Sequence, residues 1–413
     1  MRISTNQSYS SALNSMLDQQ AKLSRTQLKI SEGKRILKPS DDPIGSGIAL
    51  NLKQQIASAK QFNKNGQVAE TSLQVTESSL ASVTDILNRV RELVLQGANG
   101  TLGFSDRDSL ATEIERRYDE LLGLANSQLS DGKYIFSGFR SGVKPFTKDI
   151  AGNVNYNGDQ GKHFVDVNSS VTVQTNLSGS EVFEEISTGN GTFQATASTA
   201  NTGTGVISSG SLVDAAAYIP DTYTVTFQNN GASQLTYQVT DGSGAQIVPA
   251  PPLTVPADAP LYVEGADIEF NGIQFSISGR PVPGDEFTIE PSASQDIFTT
   301  VEDVIEALRS SNATEELQAA MRNRLNNGLV NLDRAMEHVD ENRSLIGARL
   351  NVVESEANIN SNIVVQARSS LSIVEDLDYA EAITDLNRQR VALQAAQQSF
   401  VRIEGLSLFN FIS

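Results

Sequence analysis

Large apolar residues recur at every seventh position near both ends of the chain, in two stripes almost 400 residues apart. A heptad stripe cannot bury its seam within one helix, so each stripe needs a partner helix. We expect that partner to be the other terminus or the termini of neighbouring copies, and we favour contact between copies because both stripes lie outside the main helical bundle. The predicted assembly residues are Tyr9, Met16, Leu23 and Ile30 near one end and Tyr379, Leu386, Leu393, Phe400, Ile403, Leu406 and Leu408 near the other.

A long helix is predicted to begin near residue 43. Asp41 or Asp42 can cap it, and Pro43 suits its first turn because the missing N–H would have no partner there. An apolar heptad then runs through residues 48–94 and stops at a glycine-containing turn. A second helix, about residues 106–129, is predicted to pack back on the first.

A third heptad runs through residues 329–374. Extending its register would place Asp378 in the apolar seam, but the terminal stripe restarts one residue later, at Tyr379. We therefore predict a break or hinge at residues 375–378, where the last helix takes another direction.

Between the helical regions the apolar period changes from seven to two. Large apolar residues alternate with threonines over residues 223–227, and an Asn-Asn-Gly turn at 229–231 leads into a second alternating run. This pattern predicts a β-hairpin, and a further hairpin is predicted to turn at Asn271-Gly272. The stretch 189–210, rich in Gly, Ser, Thr and Ala, predicts a loop.

These patterns predict an α+β protein. The expected architecture is an elongated antiparallel α-helical bundle or coiled coil, made from the N- and C-terminal regions, with an inserted all-β domain. The terminal stripes are sparse and rich in Ser and Gln, so we expect both terminal helices to be disordered in the monomer. The predicted domains are an assembly helix (1–40), the first part of the bundle (41–145), the β domain (146–300), the second part of the bundle (301–375) and a second assembly helix (376–413).

Composition limits the chemistry that this chain can perform. There is no cysteine, which removes disulfides, thiolate metal sites and thiol nucleophiles. The two histidines, His163 and His338, have no carboxylate or serine at a telling spacing, so we predict no catalytic residue, no metal site and no cofactor. The net charge is −18, and residues 146–300 hold 17 acidic and 3 basic residues, which argues against nucleic-acid binding. No run is long and apolar enough for membrane insertion.

Several motifs resemble those of the bacterial flagellin-like axial proteins. Residues 30–43 are similar to the N-terminal signature of that family, and residues 89–107 resemble a stretch shared with flagellin. Residues 132–138 and 406–412 look like the hook–filament junction members rather than flagellin. The centre of the β domain, about residues 186–260, carries no such motif.

The resemblance implies a non-enzymatic structural subunit at the hook–filament junction, on which flagellin polymerises. It implies four partners: further copies of the chain in a ring or helical layer, the other hook–filament junction protein, flagellin and a flagellar export chaperone. It also implies an extracellular location, reached through the flagellar type III export channel without a cleaved signal peptide. The alternatives are flagellin itself or, with less support, an adhesive or carbohydrate-binding protein acting through its β domain.

Overall fold

Long helices occupy both terminal regions and short strands lie between them in the structure, a computed structural model that describes residues 5–251, 255, 258–311 and 313–409. The helices are α1 (Thr5–Glu32), α2 (Pro43–Gly97), α3 (Phe104–Ala125), α4 (Gly179–Phe183), α5 (Ile297–Arg309), α6 (Glu315–Glu375) and α7 (Tyr379–Phe409). The strands are β1 (Phe146–Lys148), β2 (Val154–Tyr156), β3 (Phe164–Asp166), β4 (Thr172–Gln174), β5 (Ile186–Ser187), β6 (Phe193–Ala197), β7 (Val206–Ile207), β8 (Ser211–Leu212), β9 (Tyr223–Asn229), β10 (Leu235–Thr240), β11 (Gln246–Val248), β12 (Asp267–Phe270), β13 (Ile273–Ser278), β14 (Glu286–Pro291) and β15 (Ser294–Gln295). The predicted α+β class, with helices from both terminal regions and inserted strands, is confirmed.

Helix α2 begins and ends where the sequence predicts. The Asp42 carboxylate accepts a hydrogen bond from the backbone N–H of Gly45 at 2.9 Å, so it satisfies a donor that the first helical turn leaves free. Pro43 is the first helical residue, and the helix ends at Gly97. The predicted cap and stop signals are therefore confirmed.

The predicted break before the last helix is also confirmed. Helix α6 ends at Glu375 and α7 starts at Tyr379. Asp378 caps α7, because its carboxylate accepts the backbone N–H of Ala380 at 2.9 Å.

The chain divides into two compact units, and we call the larger one the central unit (residues 67–166 and 171–354). Its helical core contains the predicted seam of α2, in which each of the four large residues is at most 1% exposed. Burial at this level is typical of a packed protein interior. The buried seam residues are Leu73, Leu80, Leu87 and Val94 of α2 and Leu332, Val339 and Ile346 of α6.

Antiparallel sheets form the β region of the central unit. One sheet has five strands in the order β11-β10-β9-β14-β6, and another has the order β12-β13-β7, with β8 also pairing with β13. Strand pairs β1-β2, β3-β4 and β5-β15 complete the set among the described residues. One apolar core lies between the two larger sheets, since their inward residues form a single buried cluster that includes Phe227, Phe275 and Phe287.

Both predicted hairpins are confirmed, but one predicted loop is wrong. Strand β9 pairs with β10, and β12 pairs with β13 across Asn271 and Gly272, which have the positive φ values of 45° and 76° that a tight hairpin turn requires. Residues 189–210, predicted to be a loop, contain β6 and β7. Strand β6 forms because β14 supplies its backbone hydrogen bonds and because Phe193 is fully buried. The sequence did not indicate this strand, since its Ala and Thr residues show no alternation of large apolar side chains.

The second unit, which we call the terminal unit, comprises residues within 1–66, 167–170 and 355–413. Helices α2 and α6 pack together here through a buried cluster of Ile56, Ala59, Val364 and Ala367. In the described ranges no helix combines the length and apolar character needed to cross a membrane. The five domain boundaries predicted from the sequence stay a prediction.

Candidate assembly interface

The two apolar stripes face each other within the terminal unit, because α1 packs antiparallel against α7. At one end the rings of Tyr9 and Phe400 lie 5.0 Å apart between centroids. At the other end the Tyr379 hydroxyl lies against Gly33, so close that a Cβ at this glycine would be 2.9 Å away. Each stripe is thus paired with the other terminus, one of the two predicted partners. Contact with neighbouring copies stays a prediction.

We call this contact the terminal seam, and it buries its residues only in part. Tyr9 and Tyr379 are 46% and 51% exposed. In a two-helix coiled coil each a or d residue inserts between four residues of the facing helix, so exposure near one half shows that these two side chains are only partly enclosed. The partly buried members are Met16, Leu23, Ile30, Leu386, Leu393 and Phe400. Predicted residues Ile403, Leu406 and Leu408 lie in α7, but their side chains are outside the described part of the chain.

Further apolar side chains of α1 and α7 lie outside the seam and are exposed. Leu17 is 54% exposed, and Val391 and Val401 are each 64% exposed. Exposed apolar residues that cluster on one element mark interaction surfaces, whereas single ones are ordinary. These positions do not follow the heptad, so the seven-residue spacing did not indicate them. The exposed apolar residues of the pair outside the seam are Leu13, Leu17, Leu28, Ile383, Val391 and Val401.

A short backbone bridge joins the α1–α2 connection to the α6–α7 break. The N–H of Arg35 donates to the carbonyl of Glu375 at 2.8 Å, and the N–H of Leu377 donates to the carbonyl of Gly33 at 3.0 Å. Gly33 has a φ of 69°, which favours glycine. The bridge fixes the point at which the terminal helices leave the rest of the terminal unit.

The Glu375 side chain forms the electrostatic centre of this bridge. Its carboxylate lies 2.9 Å from Lys34 Nζ and 2.8 Å from Lys53 Nζ. Burial by itself would raise the pKa of Glu375, but hydrogen bonds and charge from Lys53 and Lys34 outweigh it and hold the pKa below its usual value. The carboxylate also raises the pKa of Lys34 through their hydrogen bond. One carboxylate therefore joins α2, the α1–α2 connection and the end of α6.

The tip of the β3–β4 hairpin belongs to the terminal unit and docks against α6. Val167 is 1% exposed, and its carbonyl accepts a hydrogen bond from Asn360 Nδ2 at 2.8 Å. Asn360 is itself 1% exposed, and Asn168 Nδ2 donates to Glu356 Oε2 at 2.6 Å. The one local sign of this contact in the sequence is a polar residue at a seam position of the α6 heptad.

Two more buried asparagines of α6 hold backbone segments within the central unit. Asn323 accepts the N–H of Ile207 and donates to the carbonyl of Gly205, both at 2.9 Å. Asn331 accepts the N–H of Gly189 at 2.8 Å. Helix α6 thus satisfies backbone groups that β7 and the start of the 189–210 stretch would otherwise bury without partners. Among the described residues no cluster of three or more His, Cys, Asp or Glu is placed to hold a metal ion.

Comparisons with known proteins agree on one family. The bacterial flagellin N-terminal helical region matches residues 3–141, and the C-terminal helical region matches residues 329–412. The flagellar hook-associated protein 3 of Salmonella typhimurium is 25% identical over 99% of this chain and 99% of its own length.

Two solved structures are similar as well. The crystal structure of flagellar hook-associated protein 3 from Legionella pneumophila is 36% identical, with a TM-score of 0.75, and covers 78% of this chain and 98% of its own. A structure of the flagellar junction protein FlgL from the same organism is 35% identical, with a TM-score of 0.74, over 79% of this chain and 99% of its own.

Proposed function

This chain belongs to the flagellar hook-associated protein 3 family and is a structural subunit of the hook–filament junction, and from that premise we propose that its terminal helices are the surface through which it assembles and on which flagellin polymerises. A subunit of this junction associates with further copies of itself and with other flagellar components. The flagellin alternative has less support, because the two solved structures of Legionella pneumophila named above are a hook-associated protein and a junction protein.

The partly open terminal seam is the observation that supports the proposal. Its residues are half-covered in a single chain, and the same helices carry exposed apolar residues such as Leu17 and Val391 outside the seam. Covering these side chains with helices of neighbouring subunits would remove apolar surface from water, at about 25 cal/mol per Å². Because this surface extends along two faces of the helix pair, subunits can add in a head-to-tail order.

The proposal assigns a partner to each side of the layer. Copies of the chain form a ring or helical layer, the other hook–filament junction protein lies on the hook side, and flagellin lies on the filament side. A flagellar export chaperone binds the protein before assembly, and the protein takes up an extracellular position. The protein acts structurally and not as an enzyme.

A deletion strain tests the function. We expect hooks without filaments and flagellin lost to the medium, and the wild-type gene should restore filaments. Phe400→Asp should fail to restore them, because the charge would have no partner once neighbouring subunits cover the terminal seam. Asn387→Asp is the matched control: it adds the same charge to an exposed polar position of α7 and should restore filaments. Normal filaments in the deletion strain would contradict the junction assignment.

A further inference from the structure

Basic residues outnumber acidic ones in residues 133–162 of this acidic chain, as they also do in residues 22–38. Residues 133–162 contain five Lys or Arg and two Asp, whereas the whole chain has a net charge of −18. The nearest carboxylate to Arg140 is at 4.0 Å, and Lys162 lies 3.5 Å from Glu181. Lys144 is exposed and forms no ion pair within the described residues. Lys133 is paired with Asp131 at 2.8 Å, but Arg140, Lys144 and Lys162 are only weakly neutralised by their own chain.

An exposed phenylalanine lies among these cations and is held in a fixed position. Phe139 is 61% exposed, and its ring meets His163 edge to face with centroids 4.8 Å apart. Asp159 Oδ1 accepts the N–H groups of Phe139 at 2.7 Å and of Gly161 at 2.8 Å. A Cβ on Gly161 would clash with the phenyl ring, so only glycine lets the ring rest there. Gly138, with a φ of 65°, completes the turn.

We call Phe139, Arg140, Lys144, Lys162 and His163 the basic aromatic patch. The exposed part of the Phe139 side chain, 61%, contributes no burial of apolar surface to folding. Aromatic residues and arginine are, however, the side chains that contribute most to binding at protein interfaces, and a preorganised anchor loses little entropy on binding. The patch has the composition and the rigidity of a docking surface.

The same chain carries a surface of complementary chemistry. Strand β12 lies at the edge of its sheet, with Asp267 and Glu269 exposed on the face opposite to its buried apolar residues. Just before it, Glu264 is exposed and Val263 is 63% exposed. In the part of the chain that the structure describes, no lysine or arginine forms an ion pair with these three carboxylates. We call these four residues the acidic edge.

We propose that the basic aromatic patch of one copy binds the acidic edge of the next copy. The inference rests on the proposed function, because it assigns one of the contacts between subunits in the layer. Phe139 packs against Val263, while Lys144 and Lys162 face Asp267 and Glu269. Two different surfaces of the same chain meet, so the contact is heterologous and repeats from copy to copy.

A second copy is the partner that the charges favour. Two chains of net charge −18 repel each other at long range, so close packing requires a local pairing of opposite charges. Such pairing also fixes which surfaces meet. If the patch lay against a different surface, or against the acidic edge in the wrong register, some charges would have no partner.

Charge reversal provides the genetic test. Lys144→Glu with Lys162→Glu reverses the patch, and Asp267→Lys with Glu269→Lys reverses the acidic edge. In the deletion strain each pair alone should reduce the number of filaments per cell at least tenfold, because like charges then face each other. All four substitutions in one chain should restore at least half of the wild-type number. Normal filaments with either single pair, or no recovery in the fourfold variant, would overturn the proposal.

Disulfide cross-linking gives a test that does not depend on filament counts. The chain has no cysteine, so Lys144→Cys with Glu269→Cys introduces the only two thiols. Oxidation of isolated hook–filament preparations with copper phenanthroline should give a ladder of dimers and higher multimers on a denaturing gel. Lys144→Cys with Ala245→Cys, at an exposed turn of the β region, is the matched control and should stay monomeric.

The outcomes separate this inference from the proposed function. If the wild-type gene does not restore filaments to the deletion strain, the proposed function fails. If it does, but Lys144→Cys with Glu269→Cys gives no more multimer than the control variant, the function stands and the contact between patch and edge is wrong.

Discussion

At the scale of single residues, Glu375 shows how one side chain can hold several segments together. It contacts lysines from α2 and from the α1–α2 connection, and its own backbone carbonyl accepts the N–H of Arg35. The lysines remain partly exposed, so water screens their charges and reduces the energy of each pair. The carboxylate itself is largely buried, and its burial makes its loss more costly than the loss of either lysine.

We expect Glu375→Gln to lower the free energy of unfolding by about 1–2 kcal/mol at pH 7. The pKa of Glu375 is lowered in the folded state, so its contribution is present above the ordinary glutamate pKa and is lost as the pH falls through the folded-state pKa. The difference between the variant and the wild type should therefore shrink at low pH. Urea unfolding at pH 7 and at pH 3 measures it. An equal difference at both pH values would contradict the ion-pair explanation.

The buried asparagines lead to a second prediction at this scale. Asn323→Leu removes both hydrogen bonds to the β7 region and leaves a buried N–H and a buried carbonyl without partners, which costs about 2–4 kcal/mol in unfolding free energy. Asn358→Leu, an exposed position of α6, is the matched control and should change stability by less than about 0.5 kcal/mol. Urea denaturation of both variants checks this, and equal effects would show that the bonds to β7 do not matter.

Residues of this kind also mark the limit of what the sequence predicts. Caps such as Asp42 act on the next few residues, so the sequence shows their partners directly. Asn323 and Asn360 act on backbone groups more than 100 residues away. Their partners follow only from the tertiary structure, and a polar residue in an apolar stripe is the one local sign of them.

At the scale of elements, the long heptads predicted the helices well, whereas the period-two pattern predicted the short strands poorly. Residues of the α2 seam repeat over many turns, so each turn adds to the same signal. Strand β6 has five residues, and its small side chains are stabilised by pairing with β14 rather than by their own pattern. The pairing of α1 with α7 was among the predicted alternatives, but the sequence could not choose between it and contact with another copy.

A pair of substitutions compares the two kinds of helical seam. Leu80 is fully buried in the central unit, so Leu80→Asp should unfold the isolated protein or lower its melting temperature strongly, by several kcal/mol of stability. Phe400 lies in the partly open terminal seam, so Phe400→Asp should leave the main thermal transition nearly unchanged while it prevents incorporation. Calorimetry of the purified variants measures the first effect. If both variants melt equally early, the terminal seam belongs to the monomer core.

At the scale of the whole molecule, burial differs between the two units. The α2 seam of the central unit is almost fully buried, whereas the terminal seam is half-open. Local opening needs less free energy where fewer apolar contacts are lost. The terminal helices should therefore open before the helices of the central unit.

Hydrogen exchange on the isolated monomer tests this difference. We expect the amides of residues 5–32 and 379–400 to exchange at least a hundredfold faster than those of residues 73–94, because a difference of about 2.7 kcal/mol in opening free energy corresponds to that ratio. Limited proteolysis should cut the same terminal segments first. Equal protection of the ends and of the α2 seam would contradict the expectation.

The pairing of α1 with α7 also has a consequence for the order of events during synthesis. The contact between Tyr9 and Phe400 joins positions about 390 residues apart, so α1 emerges from the ribosome long before its partner exists. Contacts of such long range form late, after the intervening chain has closed a large loop. A polypeptide that stops before α7 leaves the stripe of α1 without its intramolecular partner. Closure of the terminal seam therefore requires that synthesis has passed α7.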